Sequence, residues 1–275
     1  MDTNSITRKE RGKISEGKTK IIYKTDDLYK AEIFFKDVLT AGDGGRKEIF
    51  EGIGSFKNDV TCNIFKYLEM MDIKTHFLEK KDSQSFHALL CDLVPAEVVV
   101  RDSAPPGSGY LMRYPEVREG AVFKFPIVEF FLKDDTRHDP FIYSGGSDTW
   151  KLFHPKKPVM DGGEIGEIPA LLSLEEEWKV RTIALGSFKL LKKAFSKVGV
   201  DLHDFKIEFG KVKYGHSAGN LVIADCITPD EFRVTEGGAV LDKQLFRNGG
   251  DPGIIMENYA RVAMLTGRFF KGIDE

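Results

Sequence analysis

The apolar and polar positions of this chain change period several times, and each change marks an element. Residues 14–23 read as a strand pair or one strand bent at Gly17, and residues 31–35 as a further strand. A turn-rich segment, 40–45, follows. Beyond it Ser55 is placed to cap a helix in which Phe56, Val60, Ile64 and Leu68 recur four apart. Three strand-like runs come next, 75–79, 85–94 and 97–101, with Pro95 between the last two as the expected hinge. The Pro- and Gly-rich residues 103–109 predict a loop, and the apolar run 127–132 a strand. Residues 143–169 carry many Gly, Pro and Asp and predict a surface excursion. Ser173 to Glu176 is a capping-box signature, and the helix after it puts Val180, Ala184, Leu191, Ala194 and Val198 on one face, with Gly199 as its stop. The division this suggests is a β-rich first lobe, 1–95, and a larger second lobe, 96–275.

Composition narrows the class. A net charge of -3 lacks the basic excess of a nucleic-acid binder. No apolar run reaches the roughly 18 to 20 residues a membrane helix needs, and the polar first 13 residues lack a secretory h-region. The expected partners are therefore small molecules, with neither nucleic acid nor membrane. Cys62, Cys91 and Cys226 are scattered and odd in number, which excludes a zinc ribbon, argues against a disulfide framework and sets a reduced cytoplasmic location as the expectation. A homodimer is the expected assembly.

Residues 12–19 match the phosphate-loop pattern G-x-x-x-x-G-K-[ST]. That loop needs an apolar strand before it and a helix after it. Here polar residues precede, and Lys20-Ile21-Ile22-Tyr23 favours strand, so the match is set aside. In a strand Lys18 and Lys20 share one face, as a clamp on nucleotide phosphates or as exposed lysines guarding a sheet edge.

In Asp204-Phe205-Lys206-Ile207-Glu208-Phe209-Gly210 alternation turns the apolar residues to a core and Asp204, Lys206 and Glu208 to the opposite face. A second strand, 220–225, lies beyond a small-residue turn. A hairpin centred between His216 and Ser217 sets Glu208 opposite Asp225. Opposed carboxylates call for a cation, and Mg²⁺ suits them. A solvated polar face, or a one-residue slip in register, is the alternative. Arg101, at a strand end before Gly107-Ser108-Gly109, offers a guanidinium, a hydroxyl and exposed amides to a phosphate monoester, or is an ordinary loop anchor. Arg233 and Arg247 are further anion-binding candidates. The histidines, His138 included, lack metal-ligand spacing and are read as turn or structural residues.

Taken in order, residues 16–20, 91–101, 107–108, 131–140, 204–210, 225–230 and 241–243 resemble the SAICAR synthetase family over nearly the whole chain. The resemblance implies an α+β, two-lobed fold whose first lobe is similar to a protein kinase small lobe. It implies a ligase that uses ATP to join L-aspartate to the carboxylate of carboxyaminoimidazole ribonucleotide (CAIR), giving SAICAR, ADP and phosphate. By the same likeness Lys18, Lys20 and Lys133 would contact ATP phosphates, Glu97 would lie near adenine and ribose, and Glu208 and Asp225 would hold Mg²⁺. Arg101, Ser108 and Arg233 would bind CAIR, with Lys206, Asp230 and Arg247 completing the substrate pocket. The chemistry singles out Lys206, Glu208 and Asp225 as catalytic. Three departures stand out: Cys226 where the family commonly has an acid, the Pro105-Pro106 lengthening of the loop, and the long 143–169 excursion. Alternation predicts that Cys226 points away from the metal face.

Overall fold

Short runs of β-branched and aromatic residues, cut by Gly, Asp and Pro, give a largely antiparallel molecule. The computed structural model describes residues 12–42, 45–160 and 163–271; readings made on residues 1–11, 43–44 and 161–162 lie outside the described residues. In chain order the elements are β1 (Lys13–Glu16), β2 (Lys20–Lys24), β3 (Lys30–Phe35), β4 (Val38–Ala41), β5 (Arg46–Ile49), α1 (Ile53–Met70), β6 (Phe77–Lys80), β7 (Ser85–Leu89) and β8 (Cys91–Ser103). There follow α2 (Gly109–Arg113), β9 (Val122–Leu132), β10 (Phe141–Tyr143), β11 (Thr149–Phe153), β12 (Glu164–Pro169), α3 (Leu174–Lys197) and β13 (Asp201–Val212). The chain continues through β14 (Leu221–Ala224), β15 (Phe232–Glu236), β16 (Ala239–Val240), α4 (Gln244–Arg247) and α5 (Pro252–Thr266).

A five-stranded sheet, β1-β2-β3-β7-β6, packs on α1, whose other side meets α5. A nine-stranded sheet, β12-β11-β10-β9-β8-β13-β15-β16 with β14 also on β13, is covered on one face by α3. This is an α+β architecture. One continuous apolar core runs from Ile33 and Phe35 through Val60 and Phe65 to Phe130, Phe205 and Phe269. Among the described residues no helix is long and apolar enough to cross a membrane.

Four local expectations need correction. The division at 95/96 falls inside β8, which runs unbroken through Pro95. The register against β13 shifts there, between Glu208 and Gly210, so the missing N–H of Pro95 falls in a ladder irregularity while its carbonyl accepts from Lys133 N at 3.0 Å. The 143–169 excursion holds β11 and β12, which extend the sheet and bury Trp150 and Leu152. Helix α1 begins two residues before Ser55, at a Gly52 cap with φ 86°, and Ser55 Oγ donates to the Gly52 carbonyl at 2.7 Å. The turn-rich segment opens on β4 and is followed by β5, a hairpin the sequence reading did not include. By contrast, the Ser173 capping box of α3 forms in full, and Gly199 takes φ 80° just beyond its end.

The feature that makes a site is a fork. One edge of β13 is held by β8 from Asp204 to Val212; the other is shared, by β15 at residues 201–205 and by β14 at residues 208–211. Between them the amide of Lys206 donates to the Glu231 carbonyl at 2.6 Å, in the segment that crosses from β14 to β15.

Candidate active site at the fork of the large sheet

Alternation along β13 sets the chemistry apart from the core. Phe205, Ile207 and Phe209 are buried, with the Phe205 ring 5.6 Å from that of Phe188 on α3. Lys206 and Glu208 project from the opposite face into a cavity of about 500 Å³. Strand β2 brings Lys20 to the same cavity, and Lys18 lines it from the bend just before that strand. No helix starts at Lys18 or Thr19, so the phosphate-loop pattern has no loop-to-helix context here.

The hairpin register differs by one residue from the expected one. Glu208 pairs with Ala224, not Asp225. In a regular strand that slip would turn Asp225 to the other face. Strand β14 ends at Ala224, however, and Asp225 takes a left-handed φ of 65°, so its carboxylate joins Glu208 in lining the cavity. The same break in alternation corrects the placement of Cys226. Its Sγ does not point away but lies 2.9 Å from Lys20 Nζ.

Each carboxylate is matched to a lysine. Lys20 Nζ donates to Asp225 Oδ1, and Lys133 Nζ to Glu208 Oε2 at 2.5 Å. Lys206 Nζ donates to Glu97 Oε1 at 2.6 Å and stands 3.6 Å from Glu208; Lys18 meets Asp135 at 2.8 Å. Burial, reinforced by the Asp225 charge, pushes the Glu208 carboxyl above its ordinary range. Burial opposes ionisation of Asp225 as well, yet Lys20, Lys133 and Lys206 outweigh it and hold that carboxyl well below the usual carboxylate range. The pair is thus split, Glu208 shifted up and Asp225 down, as close like charges are.

Asp230 sits in the crossing segment with its side chain 6% exposed. Its Oδ2 accepts from Lys57 Nζ at 2.9 Å and Lys243 Nζ at 3.4 Å, and its Oδ1 from the Tyr259 hydroxyl. Burial works against its charge, but Lys243, Lys57 and Tyr259 keep it well below the usual range.

A second cavity, about 120 Å³, adjoins the first and shares Lys206, Asp230 and Glu231 with it. Arg101, Asp204, Arg233 and Arg247 complete its rim. Arg101 is buried and gives Nε to Glu129 and Nη1 to Asp204, each at 2.6 Å, with Ser108 Oγ 3.4 Å from Nη1. Arg233 Nη1 meets the same Asp204 oxygen at 2.6 Å, while Arg247 is exposed at the end of α4. The larger groove of about 1140 Å³ between α1, α3 and β14 does not reach these charges.

The candidate residues Lys18, Lys20, Glu97, Lys133, Lys206, Glu208, Asp225 and Asp230 therefore meet in one cavity, and Arg101, Arg233 and Arg247 in the next. Ser108 belongs to the second group through Arg101 and also caps α2. Sequence reading missed Asp139, Glu231 and Lys243, which line the first cavity, and Glu129 and Arg113 behind Arg101. The acid-rich 134–139 run was a usable signal for Asp139. Lys57 carried none, since a helix lysine is ordinarily solvated.

A family model described as SAICAR synthetase matches residues 13–263. The chain belongs to the SAICAR synthetase family. The phosphoribosylaminoimidazole-succinocarboxamide synthase of Chloroflexus aggregans is 38% identical to it, over 93% of this chain and 96% of the relative. The crystal structure of the enzyme of that name from Ehrlichia chaffeensis superposes with TM-score 0.78 at 30% identity, covering 93% of this chain and 98% of that one. A SAICAR synthetase (Type-2) solved in complex with ADP superposes with TM-score 0.74 at 34% identity, covering 92% and 96%. The family's fold thus extends across nearly the whole chain.

Proposed function

We propose that this chain is the ATP-dependent carboxylate–amine ligase of purine synthesis that joins L-aspartate to CAIR, giving SAICAR, ADP and phosphate. The observation that carries the reading is the pair of adjoining cavities meeting at Lys206, Asp230 and Glu231, one rich in lysine–carboxylate pairs and the other rimmed by arginines. The ADP-bound relative supports ATP as co-substrate.

The larger cavity is the nucleotide site in this reading. Lys18, Lys20 and Lys133 leave their carboxylate partners for phosphate oxygens, and Glu97 borders the nucleotide from β8. The freed carboxylates of Glu208 and Asp225, hard oxygen donors on one side of the cavity, suit Mg²⁺ with water and phosphate as its other ligands. Mg²⁺ supplies charge neutralisation on the phosphate chain when bound. The smaller cavity takes the phosphate end of CAIR, with Arg101, Ser108, Arg233 and Arg247 toward the phosphate and Asp230 beside the polar groups that reach the larger cavity. Lys206 stands at the junction, where the CAIR carboxylate meets the γ-phosphate.

A carboxylate is a poor acylating agent. Its oxygen attacks the γ-phosphorus, ADP leaves, and an acyl phosphate forms. Lys206 and Lys133 offset the negative charge gathered there, which is the main demand of phosphoryl transfer. The aspartate amine then attacks the acyl carbon, phosphate departs, and the amine's proton is lost.

We further infer a cytoplasmic enzyme, supported by three free cysteines, and a homodimer, supported by the exposed apolar Val122 and Phe125 of β9, which sedimentation velocity tests. The activity itself is tested by ADP release with CAIR present. Release that depends on L-aspartate, with SAICAR formed in equal amount, is expected. ADP formation indifferent to aspartate would mark a phosphotransferase instead.

A further inference from the structure

Asp225 is one of four non-glycine residues with positive φ among the described residues, and it carries a site carboxylate. Such a conformation persists only where surrounding contacts fix it. Two of its contacts bear on this. One is Lys20 on the carboxylate, which the proposed function removes when phosphate enters. The other is on the backbone: His76 Nε2 lies 3.1 Å from the Asp225 carbonyl oxygen. A carbonyl only accepts, so Nε2 carries the proton and donates.

His76 is itself held firmly. Its amide donates to the Ile223 carbonyl at 2.8 Å and its carbonyl accepts from Leu89 N at 2.7 Å, while Ile223 N donates back to Lys74 O at 3.1 Å. These bonds wedge β14 between β13 and residues 74–76. The imidazole is buried edge-on to Phe65 at 5.6 Å and to Phe86 at 5.8 Å, rings that belong to α1 and to β7 of the first sheet. One side chain thus ties the core beneath the first sheet to the turn that aims Asp225.

We infer that His76 is a positioning residue: its Nε2–H bond to the Asp225 carbonyl fixes the left-handed turn that delivers the Asp225 carboxylate to the cavity, and keeps it there once Lys20 has moved to phosphate. The inference rests on the reading of Asp225 as a metal ligand. It makes a chemical prediction: the donor matters, not the ring.

Calorimetric titration of ADP with and without Mg²⁺ tests it. His76→Leu should lose roughly 10- to 100-fold of the Mg²⁺-dependent tightening, with Mg²⁺-free ADP binding unchanged. His76→Gln, whose amide can donate in the place of Nε2–H, should recover most of it. Wild-type Mg²⁺ dependence in folded His76→Leu overturns the proposal, as does a His76→Gln variant no better than His76→Leu. Should His76→Leu not fold, ¹⁵N-histidine NMR on the unaltered protein decides: an Nε2–H tautomer protected from exchange with and without Mg·ADP is expected, and an Nδ1–H tautomer overturns it. Asp225→Asn in the same titration separates the two readings, because Mg²⁺ dependence surviving there removes the metal assignment whatever His76 does.

Discussion

The cavity at the fork and the arginine cluster beside it are both built of paired charges, but their cations differ in kind and in exposure. In the cavity they are lysines of graded exposure, 37% for Lys133 and 25% for Lys206 against 17% for Lys20 and 10% for Lys243. In the cluster Arg101, 7% exposed, is fixed between Glu129 and Asp204 at 5% and 4%, and Arg113, 2% exposed, is fixed on Glu129. Lysine is a flexible point charge that exchanges partners readily, whereas a guanidinium forked onto buried carboxylates is committed to them. In the proposed reading the lysine pairs exchange ligands and the arginine pairs hold the pocket's shape, so that Arg101 faces the substrate without leaving its carboxylates, beside the half-buried Arg233 and the exposed Arg247.

The largest expected effect falls on the cluster. Glu129→Ala leaves Arg101 and Arg113 short of a buried partner and should cost about 3–5 kcal/mol of stability in urea unfolding. A loss under about 1 kcal/mol, the range of exposed pairs, would break the contrast.

Next comes the cavity. Glu208→Gln keeps the size of the buried side chain and leaves only the partly exposed Lys133 and Lys206 short of a partner, so unfolding should shift by well under the loss expected for Glu129→Ala. Turnover should nonetheless fall roughly 10²- to 10³-fold, about 2.7–4 kcal/mol in the barrier, and recover in part as Mg²⁺ is raised. Equal losses of stability and activity would place Glu208 among the structural charges.

The smallest effect sharpens the comparison at Asp230, which borders both cavities. Its carboxyl is held below the ordinary 3.8 against burial by Lys243, Lys57 and Tyr259. A depressed folded value adds stability that is present above the unfolded value and lost as pH falls through it toward the folded one. The stability gap between the protein and Asp230→Asn should therefore narrow as pH drops below about 4. A gap that widens on acidification contradicts the assignment.

Local pattern made most of the sheet legible, since strands such as β13 declare their faces by alternation. The alternation of Trp150 and Leu152 was present as well, but Gly, Pro and Asp on both sides masked it. The site residue types were readable together with the faces of Lys206 and Glu208. The one-residue register of the β13–β14 hairpin was not, because a small-residue turn fixes its centre loosely. Nor was the left-handed turn at Asp225, which restores the carboxylate to the site and brings Cys226 with it. The buried Lys57–Asp230 pair joins residues 173 positions apart, and only the packing of α1 beneath the crossing segment reveals it.

The central claim is that the lysine–carboxylate pairs of the cavity change partners when nucleotide binds. A crystal structure with Mg²⁺ and ADP tests it most directly. The account predicts Lys20 and Lys133 on phosphate oxygens, Glu208 and Asp225 turned to the metal, and the Arg101–Glu129–Asp204 contacts unchanged. Lysines still on their carboxylates, with the metal held elsewhere, would contradict it.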